Sequence, residues 1–600
     1  MSASSKKKLR KEQKAAAMTE RQMAEQKEAK KLKIYTLSFW IVMALCVCLV
    51  AGLALRAPVV SLVRKATTAV IVGDHKLSAV ELNYFYVDAI NEYCNQYSSY
   101  LSYFLDTSKP LNEQDYDKES GTTWDEAFLD MALDSAKNTY ALYDAAVEAG
   151  HKLSDDEQKA VDDLYANMDT YAEYYGYSSV NGYLKAFYGN GASEKSYCDY
   201  YEVTVLASSY YNAYTEDLRE SYDDPDLREY EKDKMHEYNA YSYYSHYMSV
   251  DDFKTGGTKG EDGKITYSAE EIAAAEKALK EAAEKLAVSD NNTLDALNAA
   301  IKALEISMEK AESADKKDET DKKAETKTTT EEPTTDAADD KKEETSDDKK
   351  EESTDDKKEE DDKKYSKATE NKDILYSKVT SAIQEWIKDA ARKQGDIKAI
   401  PYETTSTDKD GKETKTLKGY YVVLFDDCND NTYALKNVRH LLVSFEGGTT
   451  DKNGNKTYSD TEKAAAKTKA EKFLEEWKKG DKTEDSFAEL AKKNSTDTGS
   501  KENGGLYEDV YPGQMVEAFE DWCYDEARKP GDTGIVETTY GYHVMFFSGD
   551  SEVNYRDYMV TNDLLESEVN EWQEALNKAM TVTEKNTNHI DRDMILKSGS

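Results

Sequence analysis

The sequence predicts an α+β fold of several domains, preceded by a single transmembrane helix. Three observations predict it: an uncharged apolar run near the N-terminus, a long stretch of helical periodicity, and two similar segments that mix strand-like and helix-like patterns. The predicted organisation is a basic tail 1–33, a transmembrane helix 34–56, a helical domain 66–235, copy one of the repeat at 236–430, copy two at 431–550, and a C-terminal helix and tail 551–600.

The N-terminal segment indicates a membrane anchor. Residues 1–33 carry eleven Lys or Arg against four Glu, and the run from Ile34 to Leu55 holds no charged side chain. A helix of this length spans a bilayer core of about 30 Å, and the basic excess keeps the N-terminus in the cytoplasm. The alternative is a cleaved signal peptide, although the apolar run is longer than a usual signal core. We therefore predict a single-pass cell-membrane protein whose bulk is extracytoplasmic.

Charge and cysteine content exclude some classes of protein. A formal net charge of −41 disfavours binding to nucleic acid and favours basic or unfolded partners, although it also serves simple solubility. The exported part has Cys94, Cys198, Cys428 and Cys523, which lie far apart and show no metal-ligand spacing. We expect no metal site, no cofactor and no disulfide framework, and the oligomeric state stays open.

The predicted helical domain, 66–235, begins with a short strand and a helix start signal. The run Val70-Ile71-Val72 is followed by a turn and by Ser78 with Glu81 three residues later, a capping box that opens a helix. Ser154 and Glu157 form a second capping box. Tyrosines then cluster, as at 171, 174, 175 and 177. They fit either weak contact with unfolded peptide or ordinary helix packing.

Two copies of one pattern follow the helical domain. Gly256-Gly257-Thr258 recurs as Gly447-Gly448-Thr449, and Ala391 to Asp396 resembles Ala527 to Asp532. Within copy one, residues 315–364 are almost entirely Asp, Glu, Lys, Ser and Thr, which provide too little apolar surface to offset the entropy of ordering. We predict that a disordered insertion splits copy one. A chance likeness of lysine-rich sequence is the alternative to a true repeat.

Copy two carries a set of motifs in a characteristic order. They are Val-Arg-His at 438–440, Phe-Ala-Glu-Leu-Ala at 487–491, Gly-Gly-Leu at 504–506, Gly-Gln-Met at 513–515 and Tyr-Gly-Tyr-His at 540–543. The set resembles a parvulin-type peptidyl-prolyl cis–trans isomerase. The strand, turn and helix at 70–90 resemble the start of the chaperone domain in PrsA-like and SurA-like extracytoplasmic foldases.

The resemblance implies the residues of a proline-binding active site. The catalytic residues it implies are His440, Asp497 and His543, with Asp497 acting by electrostatics or hydrogen bonding rather than by nucleophilic attack. The substrate-binding residues it implies are Leu506, Met515, Phe519, Thr538 and Ser495. Met515 and Phe519, four residues apart, are expected on one helix face, where simple core packing is the alternative role.

Copy one lacks this chemistry in the sequence, so we read it as a degenerate parvulin-like domain. Tyr421 stands at the position of His543, and Ser249 or a close neighbour stands at that of His440. The acidic insertion is expected to replace the segment that carries Asp497, Met515 and Phe519. Copy one is thus predicted to be a non-catalytic binding or spacer module.

The function predicted from these patterns is that of a membrane-anchored foldase. It would isomerise Xaa–Pro bonds in unfolded or partly folded exported proteins and so assist their folding. A non-catalytic holdase that uses the parvulin fold as a scaffold is the main alternative, and a structural component of the cell envelope is a third. The sequence does not indicate which proteins are the clients.

Overall fold

The structure is a computed structural model that describes most of the chain after residue 58. The described residues are 4–11, 59–98, 100–260, 263–325, 364–409, 411–452, 454 and 456–592, with backbone alone for 312–325. The predicted transmembrane helix, 34–56, lies outside them. Among the residues that the structure does describe, no helix combines the length and apolar character needed to cross a membrane. Two compact units are present, Met1–Tyr222 with Leu565–Ser600, and Asp223–Leu564.

Strands and helices are numbered in chain order. The strands are β1 Thr68–Val72, β2 His75–Ser78, β3 Asp115–Asp117, β4 Thr122–Thr123, β5 Ala240–Ser249, β6 Thr258–Lys259, β7 Ile265–Thr266, β8 Thr369–Leu375, β9 Ile397–Thr407, β10 Glu413–Asn429, β11 Ala434–Ser444, β12 Thr449–Thr450, β13 Lys456–Thr457, β14 Leu506–Val510, β15 Thr533–Thr538, β16 Gly541–Asn554 and β17 Val582–Glu584. The main α-helices from Ala79 onward are α1 Ala79–Gln96, α2 Trp124–Ala149, α3 Asp155–Tyr174, α4 Val180–Tyr188, α5 Glu194–Ser221, α6 Asp224–Glu231, α7 Ala269–Leu286, α8 Leu294–Glu325, α9 Ser381–Ile387, α10 Asp460–Lys479, α11 Glu484–Asn494, α12 Glu517–Cys523 and α13 Tyr555–Ala579.

The first unit is mainly helical, and its helices begin where the sequence signals them. The Ser78 hydroxyl accepts from the Glu81 N–H, and the Glu81 carboxylate accepts from the Ser78 N–H at 2.6 Å, which completes the predicted capping box of α1. Helices α1 and α2 bury their apolar faces in a core that includes Phe85, Tyr86 and Phe128. Burial of apolar side chains is the main force that stabilises such a bundle.

The C-terminal part of the chain completes this unit. Strand β17 pairs antiparallel with β1, where Val70 faces Glu584, so the sheet order is β17-β1-β2. The indole of Trp572, on the part of α13 that belongs to this unit, stacks on the ring of Tyr214 with centroids 3.9 Å apart. Residues more than three hundred positions apart in sequence therefore share one fold.

The second unit contains two antiparallel sheets with the same strand arrangement. Copy one has the order β8-β5-β10-β9, and copy two has the order β14-β11-β16-β15. In copy one, helices α7 and α8 pack on one face of the sheet and form an apolar core with it. In copy two, helices α10 and α11 do the same. The opposite face packs against a short helix, α9 in copy one and α12 in copy two.

The matching turn sequences also form matching local structures. The Arg392 guanidinium lies 4.0 Å from the ring centroid of Trp386, and Arg528 lies 4.0 Å from that of Trp522. In the glycine turns, the Gly395 N–H donates to a carbonyl of β10 at 2.9 Å and the Gly531 N–H donates to a carbonyl of β16 at 2.8 Å. The repeat in the sequence is therefore also a repeat in the backbone.

Three expectations about copy one are revised by the backbone. Helix α8 extends to Glu325, so the first part of the segment 315–364 is helical, in keeping with the high helix propensity of its Ala, Glu and Lys residues; residues 326–363 lie outside the described part. The strand register pairs Ser249 with Gly419 as it pairs Ser444 with Gly541, so Ser245 is the structural equivalent of His440. Helix α9 occupies the place of α12, so the insertion does not replace the segment of Met515 and Phe519.

Candidate active site

Two histidines lie side by side on the central strands of copy two. In the antiparallel pair β11–β16, Leu442 faces His543 and His440 faces Met545, so both imidazoles project from the same sheet face. The two Nδ1 atoms are 2.9 Å apart, and the rings stack with centroids 5.1 Å apart. Both side chains are buried, with 3% of His440 and 5% of His543 exposed.

Asp497 closes the other end of the histidine pair. Its Oδ2 lies 2.8 Å from Nε2 of His440 and accepts from the Tyr507 hydroxyl at 3.2 Å and from the Ser500 hydroxyl. Its Oδ1 accepts from the Gly499 N–H at 3.2 Å. The carboxylate thus has several hydrogen-bond donors around it while it remains partly open to solvent, with 21% of its side chain exposed.

Thr538, His543, His440 and Asp497 form a chain of hydrogen bonds, which we call the relay. All of its hydrogen bonds can point in the same direction along the chain. The Thr538 hydroxyl lies 2.8 Å from Nε2 of His543 and also accepts from the Tyr540 N–H. If that hydroxyl donates to His543, then His543 donates through Nδ1 to His440, and His440 donates through Nε2 to Asp497. Each imidazole then carries one proton, so the relay satisfies every nitrogen with both histidines neutral.

Burial and hydrogen bonding shift the pKa values in the direction that this relay requires. Burial lowers the pKa of His440 below 6.5, against the opposing effect of Asp497. Burial, with a smaller effect of His440, lowers the pKa of His543 to about 3. Burial alone would raise the pKa of Asp497, but hydrogen bonds from Ser500 and His440 outweigh it and hold that pKa at about 2. At neutral pH the site therefore holds two neutral imidazoles and one carboxylate.

An apolar wall stands next to the histidines. The Phe519 ring lies edge-on to both imidazoles, with centroids 5.5 Å from His440 and 5.4 Å from His543. Met515 is half-buried and packs against the same apolar cluster. It precedes α12 and is not part of the helix, because the helix begins at Glu517. Met515 and Phe519 thus reach one cluster from a helix and the turn before it, not from one helix face.

Two further predicted substrate-binding residues, Leu506 and Ser495, differ in their position and exposure. Leu506 begins β14 opposite Arg439 and is half-buried. Ser495 is only 3% exposed, and its hydroxyl accepts from the N–H groups of Leu442 and Asp497, both at 3.2 Å. Ser495 therefore positions the segment that carries Asp497 and does not line an open surface.

The Gly-Gly turn holds β14 against the histidine strand. Gly504 and Gly505 both have positive φ angles, 76° and 74°. A Cβ on Gly505 would come within 2.0 Å of the His440 carbonyl oxygen, and the Gly505 carbonyl accepts from the His440 N–H at 2.8 Å. Only glycine combines that backbone conformation with that close approach.

Sequence reasoning missed two residues of the site. Ser500, only 1% exposed, places its hydroxyl 3.0 Å from Nε2 of His440, and Tyr507 contacts both Asp497 and the His440 ring. A usable signal was the position of Tyr507 directly after the Gly-Gly-Leu motif, where a strand residue faces the histidine strand. No comparable signal marks Ser500, which reaches the site through a turn.

Residues 426–548, which cover most of copy two, match the family described as the PPIC-type PPIASE domain, in agreement with the parvulin-type resemblance of its motifs. Parts of the chain are also similar in sequence to PrsA foldases. It is 35% identical over 143 residues to foldase protein PrsA 1 of Listeria monocytogenes, covering 24% of this chain and 37% of that protein. It is 29% identical over 193 residues to foldase protein PrsA of Staphylococcus epidermidis, covering 31% of this chain and 56% of that protein.

The similarity is partial in every case. The chain spans between about a fifth and just over half of the length of the curated relatives it matches. A crystal structure of PrsA from Bacillus subtilis is 28% identical and covers 24% of this chain and 48% of that one, with a TM-score of 0.15. A structure of peptidylprolyl isomerase (PrsA) from Bacillus cereus is 25% identical and covers 25% and 50%, with a TM-score of 0.16. With TM-scores this low, the structural comparisons carry no argument beyond the sequence similarity.

Proposed function

We propose that copy two catalyses cis–trans isomerisation of Xaa–Pro peptide bonds in exported proteins, and that the chain acts outside the cell as a foldase anchored by the apolar segment 34–56, for which the sequence predicts a transmembrane helix. The observation that carries this proposal is the relay from Thr538 to Asp497 beside the ring of Phe519. It supplies both parts that the reaction needs, an apolar surface for the proline ring and a fixed electrostatic environment for the amide.

The reaction breaks no σ bond, and its barrier of about 18–20 kcal/mol is the loss of amide resonance on twisting. The planar amide carries partial negative charge on its oxygen. A carboxylate held ionised close to that oxygen raises the free energy of the planar form relative to the twisted form, which lowers the barrier. Asp497 is the group suited to this role, because its pKa of about 2 keeps it charged and its side chain is partly exposed.

The neutral histidines hold this charge in place without competing with it. A protonated imidazole would neutralise Asp497, whereas burial keeps the pKa values of His440 and His543 low. Phe519 and Met515 then bind the proline ring, with Leu506 at the start of the neighbouring strand and Thr538 and Ser495 in supporting positions. Most of the site is thus preorganised before substrate binds.

The test is isomerase activity of the full chain on a chromogenic Xaa-Pro peptide. Wild type should accelerate isomerisation, while Asp497→Ala and Met515→Ala should lose most of that acceleration. Glu508→Gln, an exposed acidic residue next to Tyr507, is the matched control and should behave as wild type. A folded wild-type chain without any acceleration would refute the proposal.

The second candidate is a holdase, and one observation favours it. The end of α3, the residue after it and α4 present an exposed group of aromatic rings in which Tyr174 is 82%, Tyr175 is 54% and Phe187 is 39% exposed, a surface suited to unfolded chains. Refolding of a protein whose slow step is proline isomerisation separates the two. A foldase loses its acceleration of refolding with Asp497→Ala, whereas a holdase keeps its effect on aggregation and yield.

A further inference from the structure

Copy one carries a cluster of tyrosines at the place where copy two carries its relay. Gly419 faces Ser249 on one side and Tyr402 on the other, as Gly541 faces Ser444 and Thr538. Counting from these glycines, Tyr421 is equivalent to His543, Tyr402 to Thr538, and Tyr247 to Leu442. Tyr402 and Tyr421 thus stand where the relay has Thr538 and His543, and with Tyr247 they form an aromatic triad.

The triad forms one continuous surface. The ring of Tyr247 lies 4.8 Å from that of Tyr421 and 6.2 Å from that of Tyr402, and the rings of Tyr402 and Tyr421 are 5.9 Å apart. Tyr247 is 41% exposed, and the other two are half-buried. A Cβ on Gly419 would come within 2.5 Å of the Tyr247 ring, so the glycine lets that ring lie flat on the strand.

The apolar wall of the proline site has a counterpart behind the triad. Val379 precedes α9 and Ile383 lies within it, in the same places relative to the helix as Met515 and Phe519 in copy two. Val379 and Ile383 are buried in one apolar cluster with Tyr421 as a half-buried neighbour. Copy one thus keeps apolar side chains against this sheet face and has other residues at the positions of the two histidines.

Around the triad, the part of copy one that the structure describes lacks counterparts of the relay histidines. Ser245 stands where copy two has His440, and its hydroxyl accepts from the Asn371 side-chain amide at 3.0 Å. Tyr421 is not a substitute for His543, because burial raises its pKa above 10 and keeps it protonated and neutral. A peptide held here would meet the tyrosine rings, with Val379 and Ile383 packed beneath them, and no counterpart of the relay.

We propose that this aromatic triad is a second, non-catalytic binding site for proline-containing extended segments of client proteins. Flat aromatic rings with hydroxyl edges recognise proline rings and the extended backbone that proline favours. We infer proline as the ligand from position, since the triad, Val379 and Ile383 stand where the proposed proline site lies in copy two. This inference rests on the proposed function of copy two. Two sites on one chain would raise the effective local concentration of a bound client.

Fluorescence anisotropy of a labelled alternating Ala-Pro decapeptide tests the proposal on the full chain. All measurements use a Met515→Ala background, which weakens the site in copy two. In that background Tyr247→Ala should raise the Kd by about tenfold, because the exposed ring supplies contact area directly. Tyr247→Phe should retain binding, since ring stacking does not need the hydroxyl. Tyr103→Ala, at a more exposed tyrosine in the other unit, is the matched control and should not change the Kd.

The outcomes separate this proposal from the proposed function. An unchanged Kd in Tyr247→Ala, or equal binding of an alternating Ala-Ser peptide, would overturn the proline site in copy one. Isomerase activity of wild type is measured in parallel on a chromogenic tetrapeptide. If that activity is missing while peptide binding still depends on Tyr247, the catalytic assignment of copy two fails and the binding site in copy one stands. Far-ultraviolet circular dichroism of each variant identifies any loss of fold.

Discussion

Asp497 is the residue on which the relay depends. Its carboxylate accepts from His440, Ser500, Tyr507 and the Gly499 backbone. Replacement by Ala leaves these donors without their acceptor and removes the charge near the substrate amide. We expect kcat/KM to fall roughly a hundredfold and the free energy of unfolding to fall by about 1–3 kcal/mol. A continuous isomerase assay and urea unfolding measure the two effects.

Asp497→Asn separates charge from hydrogen bonding at this position. The amide keeps the shape of the side chain and one acceptor oxygen but carries no charge. If electrostatics lower the barrier, Asn should lose nearly as much activity as Ala while it loses less stability. Activity close to wild type in the Asn variant would contradict the electrostatic role of Asp497.

The low pKa values in the site predict that copy two is sensitive to acid. The unfolded chain protonates His543 below about pH 6.5, whereas the folded chain resists until about pH 3, so stability falls as pH falls through that window. Asp497 adds loss in the same direction between about 3.8 and 2, where its unfolded carboxyl protonates first. The melting temperature should therefore level off above pH 6.5 and decrease below it.

A comparison with His543→Asn isolates this contribution from that of other groups. Asn cannot take up the proton, so the variant should lose stability at neutral pH and show a smaller decrease between about pH 6.5 and 3 than wild type. Differential scanning calorimetry across this range measures both slopes. Equal slopes in the two proteins would exclude His543 as a source of the acid sensitivity.

At the scale of the element, a buried ion pair ties helix α6 to the start of α13. The Arg556 guanidinium donates to Glu231 at 2.6 Å, to the Asn239 side chain at 2.9 Å and to the Met235 carbonyl at 2.9 Å. The side chains of Arg556 and Glu231 are only 4% and 3% exposed. Arg556→Ala removes one of the two arginines that pair with the buried Glu231 carboxylate, and the remaining partner, Arg228, is 45% exposed. The substitution should lower the free energy of unfolding of the second unit by about 3 kcal/mol, at the low end of the range for breaking a buried pair.

The matched control for this pair is a salt bridge in the same region of the chain that is open to solvent. Lys232 pairs with Glu229 at 3.3 Å, and the side chains are 62% and 77% exposed. Lys232→Ala should cost less than about 1 kcal/mol. Urea unfolding combined with hydrogen exchange of β5 and β11 assigns the loss to the second unit. Similar losses in both variants would show that burial does not set the strength of the Arg556 pair.

Local signals predicted the helices of this chain better than its strands. The predicted capping boxes at Ser78 and Ser154 both form, because a capping box needs only residues three apart. Strand β14 was not predicted, since it is short, lacks alternation and includes Asp509 with φ of 51°. The pairing of β14 with β11 depends on the long-range approach at the Gly-Gly turn, which no local pattern encodes.

The residues of the candidate site could be predicted where they belong to a sequence motif. The sequence predicted His440, Asp497 and His543 as one group, and the structure brings them within hydrogen-bonding distance in one chain of contacts. Ser500 was missed because its role depends on the fold of the turn after α11, and Tyr507 was missed because the strand that carries it, β14, was not predicted. Ser495 was expected at the substrate, yet its hydroxyl is used by the backbone.

At the scale of the whole molecule, the two copies share one sheet arrangement, and their chemistry differs. Copy one has Ser245 and Tyr421 where copy two has His440 and His543, so we expect all isomerase activity to come from copy two. The full chain with both Asp497→Ala and Met515→Ala should isomerise a chromogenic Xaa-Pro peptide no faster than the uncatalysed reaction. Its peptide affinity should fall less than its activity, because the triad in copy one is untouched. If the double variant kept a substantial part of the wild-type rate, and lost it on Tyr421→Ala, copy one would be a second catalytic domain.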